Sequence, residues 1–183
     1  MMTTKRFIFI SLFVLIFLIT IFFSAFFLPF KTQYISTFSQ ISNQNGVDLS
    51  LALAIAKAES KFDKNAKSAK GAIGLMQIKL ETANYVLQKN GRDQLTEEQL
   101  FLPQNNILCG IKYLAYLQTR FEDEDSIICA YNAGETAVAG WLKDKAYSQN
   151  GKTLDLVPFK ETKNYLSKVK FNKHIYQIFL DSK

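Results

Sequence analysis

Two hydrophobic regimes divide the chain. From Phe7 to Leu28 the sequence FIFISLFVLIFLITIFFSAFFL carries no charge, is long enough to cross a bilayer as a helix and is apolar on every side, unlike a buried helix with one wet face. Lys5 and Arg6 precede it, which puts the short N-terminus in the cytoplasm and everything after Lys31 outside. A cleaved signal peptide shares the basic start, but its apolar core runs only about 7 to 15 residues and ends in an A-x-A-type site, a pattern not found before Pro29. The pattern predicts a cytoplasmic stub and transmembrane signal anchor over residues 1–30 and an extracytoplasmic domain over 31–183. If the anchor is cut, that domain is secreted.

Beyond the anchor, apolar residues recur at helical spacing almost throughout, so the domain is expected to be all-α. Ile35, Phe38 and Ile41 mark a first helix that stops at Gly46. Asp48 is placed to cap a second, from Leu49 to about Ser60. Periodicity fails from Phe62 to Gly74, where Asp63, Asn65, Ser68 and two glycines indicate a loop. Leu80–Gln88 is a short helix, Thr96 opens another turn, and Pro103 precedes a helix from about Asn105 to Arg120. The acidic run Phe121 to Asp125 is expected to be a solvated connection, with Ser126 capping the helix that carries Cys129 and Tyr131. Asn132 to Gly134 break that helix and Thr136 to Leu142 resume it. Lys143 to Leu156 are expected as a long loop or small hairpin, and a final helix starts near Lys160.

Charge narrows the partners. Without Lys5 and Arg6 the chain holds 20 basic residues against 16 acidic ones, about +4, which suits an anionic surface such as a wall polymer or lipid headgroups. The basic residues form no dense stripe, so nucleic acid is a poor match. Cys109 and Cys129 have neither CxxC spacing nor a histidine cluster, so no metal and no cofactor is expected. They are read as unpaired core residues, with a disulfide as the alternative outside the cytoplasm.

The candidate chemistry lies in three segments: Ala58-Glu59-Ser60, Gly71-Ala-Ile-Gly74-Leu-Met-Gln77 and Ala130-Tyr-Asn-Ala-Gly134. Glu59 is a lone carboxyl in the last turn of a packed helix. Gly71 and Gly74 allow tight backbone geometry beside a bulky ligand. Amide, hydroxyl and thioether groups supply contacts of the kind a polysaccharide needs.

Together with Asn105 to Leu114 and Pro158-Phe-Lys-Glu-Thr-Lys-Asn-Tyr165, these segments resemble the soluble-type lytic transglycosylases, over roughly Tyr34 to Ile175. The resemblance implies a goose-lysozyme-like fold and cleavage of the β-1,4 bond between N-acetylmuramic acid and N-acetylglucosamine in peptidoglycan, leaving a 1,6-anhydro end. It implies Glu59 as the single general acid and base, with the sugar's acetamido group replacing a second carboxylate. Apolar surroundings, expected from Ile55, Ala56 and Phe62, would keep its proton near neutral pH. Ser60 would bind the acetamido group or orient Glu59. Gly74, Met76 and Gln77 would line one wall, Tyr131 and Asn132 the other, and Tyr165 would stand beside the acid.

The chain departs from the family pattern at three places: Lys79-Leu80 where Met-Pro is frequent, Glu135 where Pro is frequent, and Asp63-Lys64 for Asn-Pro. A hydrolytic muramidase is the nearest alternative reading. A weakly catalytic wall-binding subunit of an envelope-spanning apparatus is the other.

Overall fold

The least polar helix of the outer domain lies at its centre. The computed structural model describes residues 4–27 and 34–182, and α3 (Leu49–Glu59) buries every side chain from Ser50 to Ala56. Its LALAIAKA core alternates large and small residues, so neighbouring helices can approach closely and still fill the space. The N-terminus is closed as expected: the Asp48 carboxylate accepts from the Ser50 N–H and the Ser50 hydroxyl, both at 2.7 Å.

The other helices of the domain are α2 (Ile35–Asn45), α4 (Leu80–Lys89), α5 (Glu97–Phe101), α6 (Pro103–Gln118), α7 (Glu124–Ala133), α8 (Glu135–Lys143) and α9 (Lys160–Asp181). The last of these packs most extensively on α3. Pro103 sits in the first turn of α6, where its missing N–H costs nothing. A reciprocal capping box between Thr96 and Gln99 starts α5. Residues 144–159 hold no strand, only turns in which the Asp155 and Leu156 N–H groups donate to the Tyr147 carbonyl.

Two expectations change. The start of α7 is capped by Asp123, whose carboxylate accepts from the Ser126 N–H at 3.0 Å, and Ser126 is itself buried in the first turn. The acidic run is therefore a helix start rather than a solvated connection. Asp, Glu and buried Phe121 serve it better than a lone serine cap, because carboxylates favour the positive end of a helix. The supposed loop 62–74 ends in a hairpin, β1 (Ala72–Ile73) against β2 (Ile78–Lys79), in register Ala72 with Lys79 and Ile73 with Ile78. Such a short ladder has no period for a sequence to show.

The apolar segment, taken by itself, forms helix α1 (Thr4–Phe27). Its described large side chains are exposed over their whole circumference, Phe9 to Ile21. Among the described residues no helix is long and apolar enough to cross a membrane. Leu28 and the expected boundary near residue 31 lie outside the described residues.

Candidate active site

Glu59 ends α3 at the rim of a groove of about 460 Å³. Gln77, Tyr131 and Asn132 line the same groove, so three segments far apart in sequence converge on the carboxyl. Tyr165, from α9, donates its hydroxyl to Glu59 Oε1 at 2.7 Å. Burial pushes the Glu59 carboxyl up to about 7, against the opposing pull of the Tyr165 hydrogen bond and of the Lys168 ammonium. Burial therefore outweighs both, and the carboxyl keeps its proton well above the usual carboxylate range. The Lys168 ammonium is occupied with the Ala58 carbonyl, at 2.5 Å.

Backbone strain is concentrated beside this group. Among the described residues, Lys61 and Phe62, just after the end of α3, and Gln77 are the three non-glycine residues with positive φ, at 56°, 65° and 47°. Such conformations cost about 1–3 kcal/mol each. Surrounding bonds hold them: the Gln77 amide nitrogen donates to the Ala66 carbonyl at 3.1 Å and the Gly74 carbonyl at 3.0 Å, which fixes Gln77 in the wall.

Ser60, Gly74 and Met76 contribute from behind the groove. The Ser60 hydroxyl donates to the Leu75 carbonyl at 2.7 Å, tying the end of α3 to the Gly74–Gln77 turn. Met76 is 0% exposed and its sulfur fills the space beside Gly110, where a Cβ would approach it to 2.3 Å. The side chain is core rather than a sugar contact, and its carbonyl accepts from the Tyr131 hydroxyl at 2.9 Å. Gly74 is buried at φ +75°, with room for a Cβ blocked by Asn106. Phe62 packs edge-on against Phe38 and Tyr176 at ring distances of 6.2 and 6.4 Å, so it helps close the core below α3.

Sequence reasoning missed the residue that organises the turn. Asn106, fully buried on α6, accepts from the Met76 N–H at 2.8 Å and donates to the Ile73 carbonyl at 2.9 Å and the Leu100 carbonyl at 3.2 Å. The available signal was an asparagine at an otherwise apolar helix position next to Ile107. Ser68, Tyr113 and Glu161 also line the groove, Glu161 one helical turn before Tyr165 on α9. His174 is exposed, away from these groups. Among the described residues no cluster of three or more His, Cys, Asp or Glu is placed to hold a metal ion. Both cysteines are free and buried, and burial pushes their thiols up to about 11 and 12.

Residues 36–154 match the model of the Transglycosylase SLT domain. The chain belongs to that family. It is 34% identical over 157 residues to a putative soluble lytic murein transglycosylase of Haemophilus influenzae, a match covering 82% of this chain and 26% of the relative. It is 37% identical over 116 residues to membrane-bound lytic murein transglycosylase C of Sodalis glossinidius, covering 58% and 32%. Its fold superposes on an inactive mutant of lytic transglycosylase Slt from Pseudomonas aeruginosa with TM-score 0.73 at 31% identity, covering 83% of this chain and 25% of that one. This SLT chain thus spans about a quarter of the length of the soluble relatives it matches. The mainly helical, lysozyme-like fold expected for it is the one it has.

Proposed function

We propose that this SLT domain is a peptidoglycan lytic transglycosylase that cuts the β-1,4 bond between N-acetylmuramic acid and N-acetylglucosamine and closes a 1,6-anhydro ring on the muramic acid. The observation that carries the reading is a half-buried carboxyl poised near neutrality on the rim of a groove, held by a tyrosine hydroxyl. In the first step protonated Glu59 gives its proton to the glycosidic oxygen as the C1–O bond breaks, while the sugar's own acetamido oxygen meets the developing positive charge at C1. In the second, the Glu59 carboxylate removes the proton of the C6 hydroxyl as that oxygen bonds to C1 and the acetamido oxygen leaves. Glu59 ends protonated, ready for another cycle. Gln77 offers its side-chain carbonyl oxygen, its amide nitrogen being held by Ala66 and Gly74, and Asn132 offers its amide group to the sugar. No cofactor enters either step.

Glu161 favours one rival. A second carboxylate in the same groove could activate water and make the enzyme a hydrolytic muramidase. Digestion of purified peptidoglycan decides between them: anhydro ends are lighter by one water than hydrolysed reducing ends. The lyase reading expects anhydro ends, retained in Glu161→Gln. Hydrolysed ends throughout would overturn it.

The Tyr165 hydrogen bond favours the charged form of Glu59. Its removal in Tyr165→Phe is expected to raise the carboxyl above about 7, moving the alkaline limb of the kcat/KM profile up by about one pH unit. An unmoved limb would show that the two groups are uncoupled in solution.

For the rest of the molecule we read α1 as a signal anchor. Lys5 and Arg6 in the first turn of a helix that carries no charge after them support it, and one relative bears the name of a membrane-bound enzyme. The domain then faces the wall from the outer side of the membrane, with glycan strands as substrate. Protease protection of the full chain in sealed vesicles tests that topology.

A further inference from the structure

A run of aromatic rings leads out of the groove to a second hollow. Tyr131 and Tyr113 both line the groove, with ring centroids 5.4 Å apart. Tyr113 then stacks on Tyr116, at 6.3 Å and nearly parallel, and Tyr116 borders a separate hollow of about 220 Å³ between α2, α4 and α6. Tyr113 thus lines the first hollow and its stacking partner Tyr116 the second. Tyr85 packs edge-on against Tyr116 at 5.5 Å and is 42% exposed.

The platform is fastened in place. The Tyr116 hydroxyl donates to Glu135 Oε2 at 2.7 Å, and Arg120 Nε donates to the other oxygen at 2.6 Å. Glu135 stands where the family often has proline, so this fastening belongs to the chain's departure from the pattern. Asn45, Asn90, Lys112 and Thr119 line the hollow, and the Lys112 ammonium donates to Asn45 Oδ1 at 3.3 Å and Asn90 Oδ1 at 2.9 Å. Each amide donates one N–H to its own helix and keeps the other, and the Thr119 hydroxyl donates to the Tyr116 carbonyl and can still accept. Lys89 places its ammonium 5.8 Å from the Tyr116 ring centre. A ring face beside amides and hydroxyls is the chemistry that holds a pyranose: the apolar sugar face stacks while its hydroxyls and acetamido group find polar partners.

We propose that this second hollow is an accessory glycan subsite, taking an N-acetylhexosamine of the same strand whose scissile bond lies at Glu59. It rests on the activity reading above and adds that the strand leaves the groove over Tyr113 and Tyr116. Lys89 suits a sugar that carries a carboxylate, as a muramic acid freed of its peptide does. The subsite should favour long strands over short ones.

The test uses the full chain in detergent with Glu59→Gln, so that glycan is bound but not cut. Peptide-free peptidoglycan tetrasaccharide and octasaccharide are titrated calorimetrically into this parent and into versions that also carry Tyr85→Ala, Tyr85→Phe or Ala115→Phe. Tyr85 is exposed and its loss spares the core; Ala115 lines the hollow, so a larger side chain there plugs it and leaves the rings in place. The expected result is octasaccharide binding weakened roughly 3–10-fold by Tyr85→Ala and by the plug. Tetrasaccharide binding stays unchanged, and Tyr85→Phe matches the parent. Octasaccharide binding equal to the parent in the plugged protein overturns the proposal, as does equal weakening of both lengths. A parent that binds neither sugar sinks the activity reading itself, and this inference with it.

Discussion

Glu59→Gln is expected to lower glycan cleavage by about 10²- to 10⁴-fold, the usual worth of a positioned general acid or base, and at the same time to make the folded protein more stable above neutral pH. The second effect follows from linkage. Burial raises the Glu59 carboxyl from its ordinary 4.5 to about 7 in the folded state. A group with a raised folded pKa contributes fully below its unfolded value, and that contribution is lost as pH rises through the folded one. Between about pH 4.5 and 7 the wild type therefore loses stability that a neutral glutamine keeps, up to roughly 3 kcal/mol by pH 8. Thermal melts of the two proteins at pH 4 and pH 8 check this. The variant should melt higher only at the alkaline pH, and a variant that melts lower at both would mean its inactivity reflects misfolding.

Asn106→Leu is expected to cost about 3–5 kcal/mol, the largest stability effect among groups outside the groove. The volume is nearly conserved, but three backbone groups lose their partner: the Met76 N–H and the Ile73 and Leu100 carbonyls. Each buried orphan costs about 1–3 kcal/mol. For a domain of this size the melting temperature should fall by roughly 10 °C. Because the released turn carries Gln77, whose left-handed backbone is held by the same loop, sugar affinity should fall with it. Urea melts and glycan titration of the variant measure both. A loss below about 1 kcal/mol would show that Asn106 fills space and does not organise the turn.

Much of this architecture is legible in the sequence because it is carried by periodicity and punctuation. Asp48 before LSLALAIAKAE, Thr96 before Glu-Glu-Gln and Pro103 before an amphipathic run give helix starts that the structure repeats. The convergence of Glu59, Gln77, Tyr131, Asn132 and Tyr165 is legible only through the family resemblance, since nothing in the spacing brings α3, the hairpin, α7 and α9 together. Side-chain direction was the least readable feature. Met76 and Gln77 are neighbours in a motif, yet the left-handed turn at Gln77 sends one into the core and leaves the other in the wall. Asn106 escaped notice because a buried asparagine has the same letter as a solvated one. Its partners are carbonyls and an N–H group from a distant turn. Asp123 and Ser126 competed for one cap, and carboxylate beside the helix dipole won.

The proposed cleavage depends on one carboxyl holding its proton near neutral pH. Its most direct test is an NMR titration of the full chain with the glutamate side-chain carboxyl carbons labelled, Glu59 being assigned by the signal missing from Glu59→Gln. A midpoint near 7 is expected for that carbon. A midpoint near 4.5, the ordinary value, would mean that the groove does not protect the proton, and the single-carboxyl mechanism would fall.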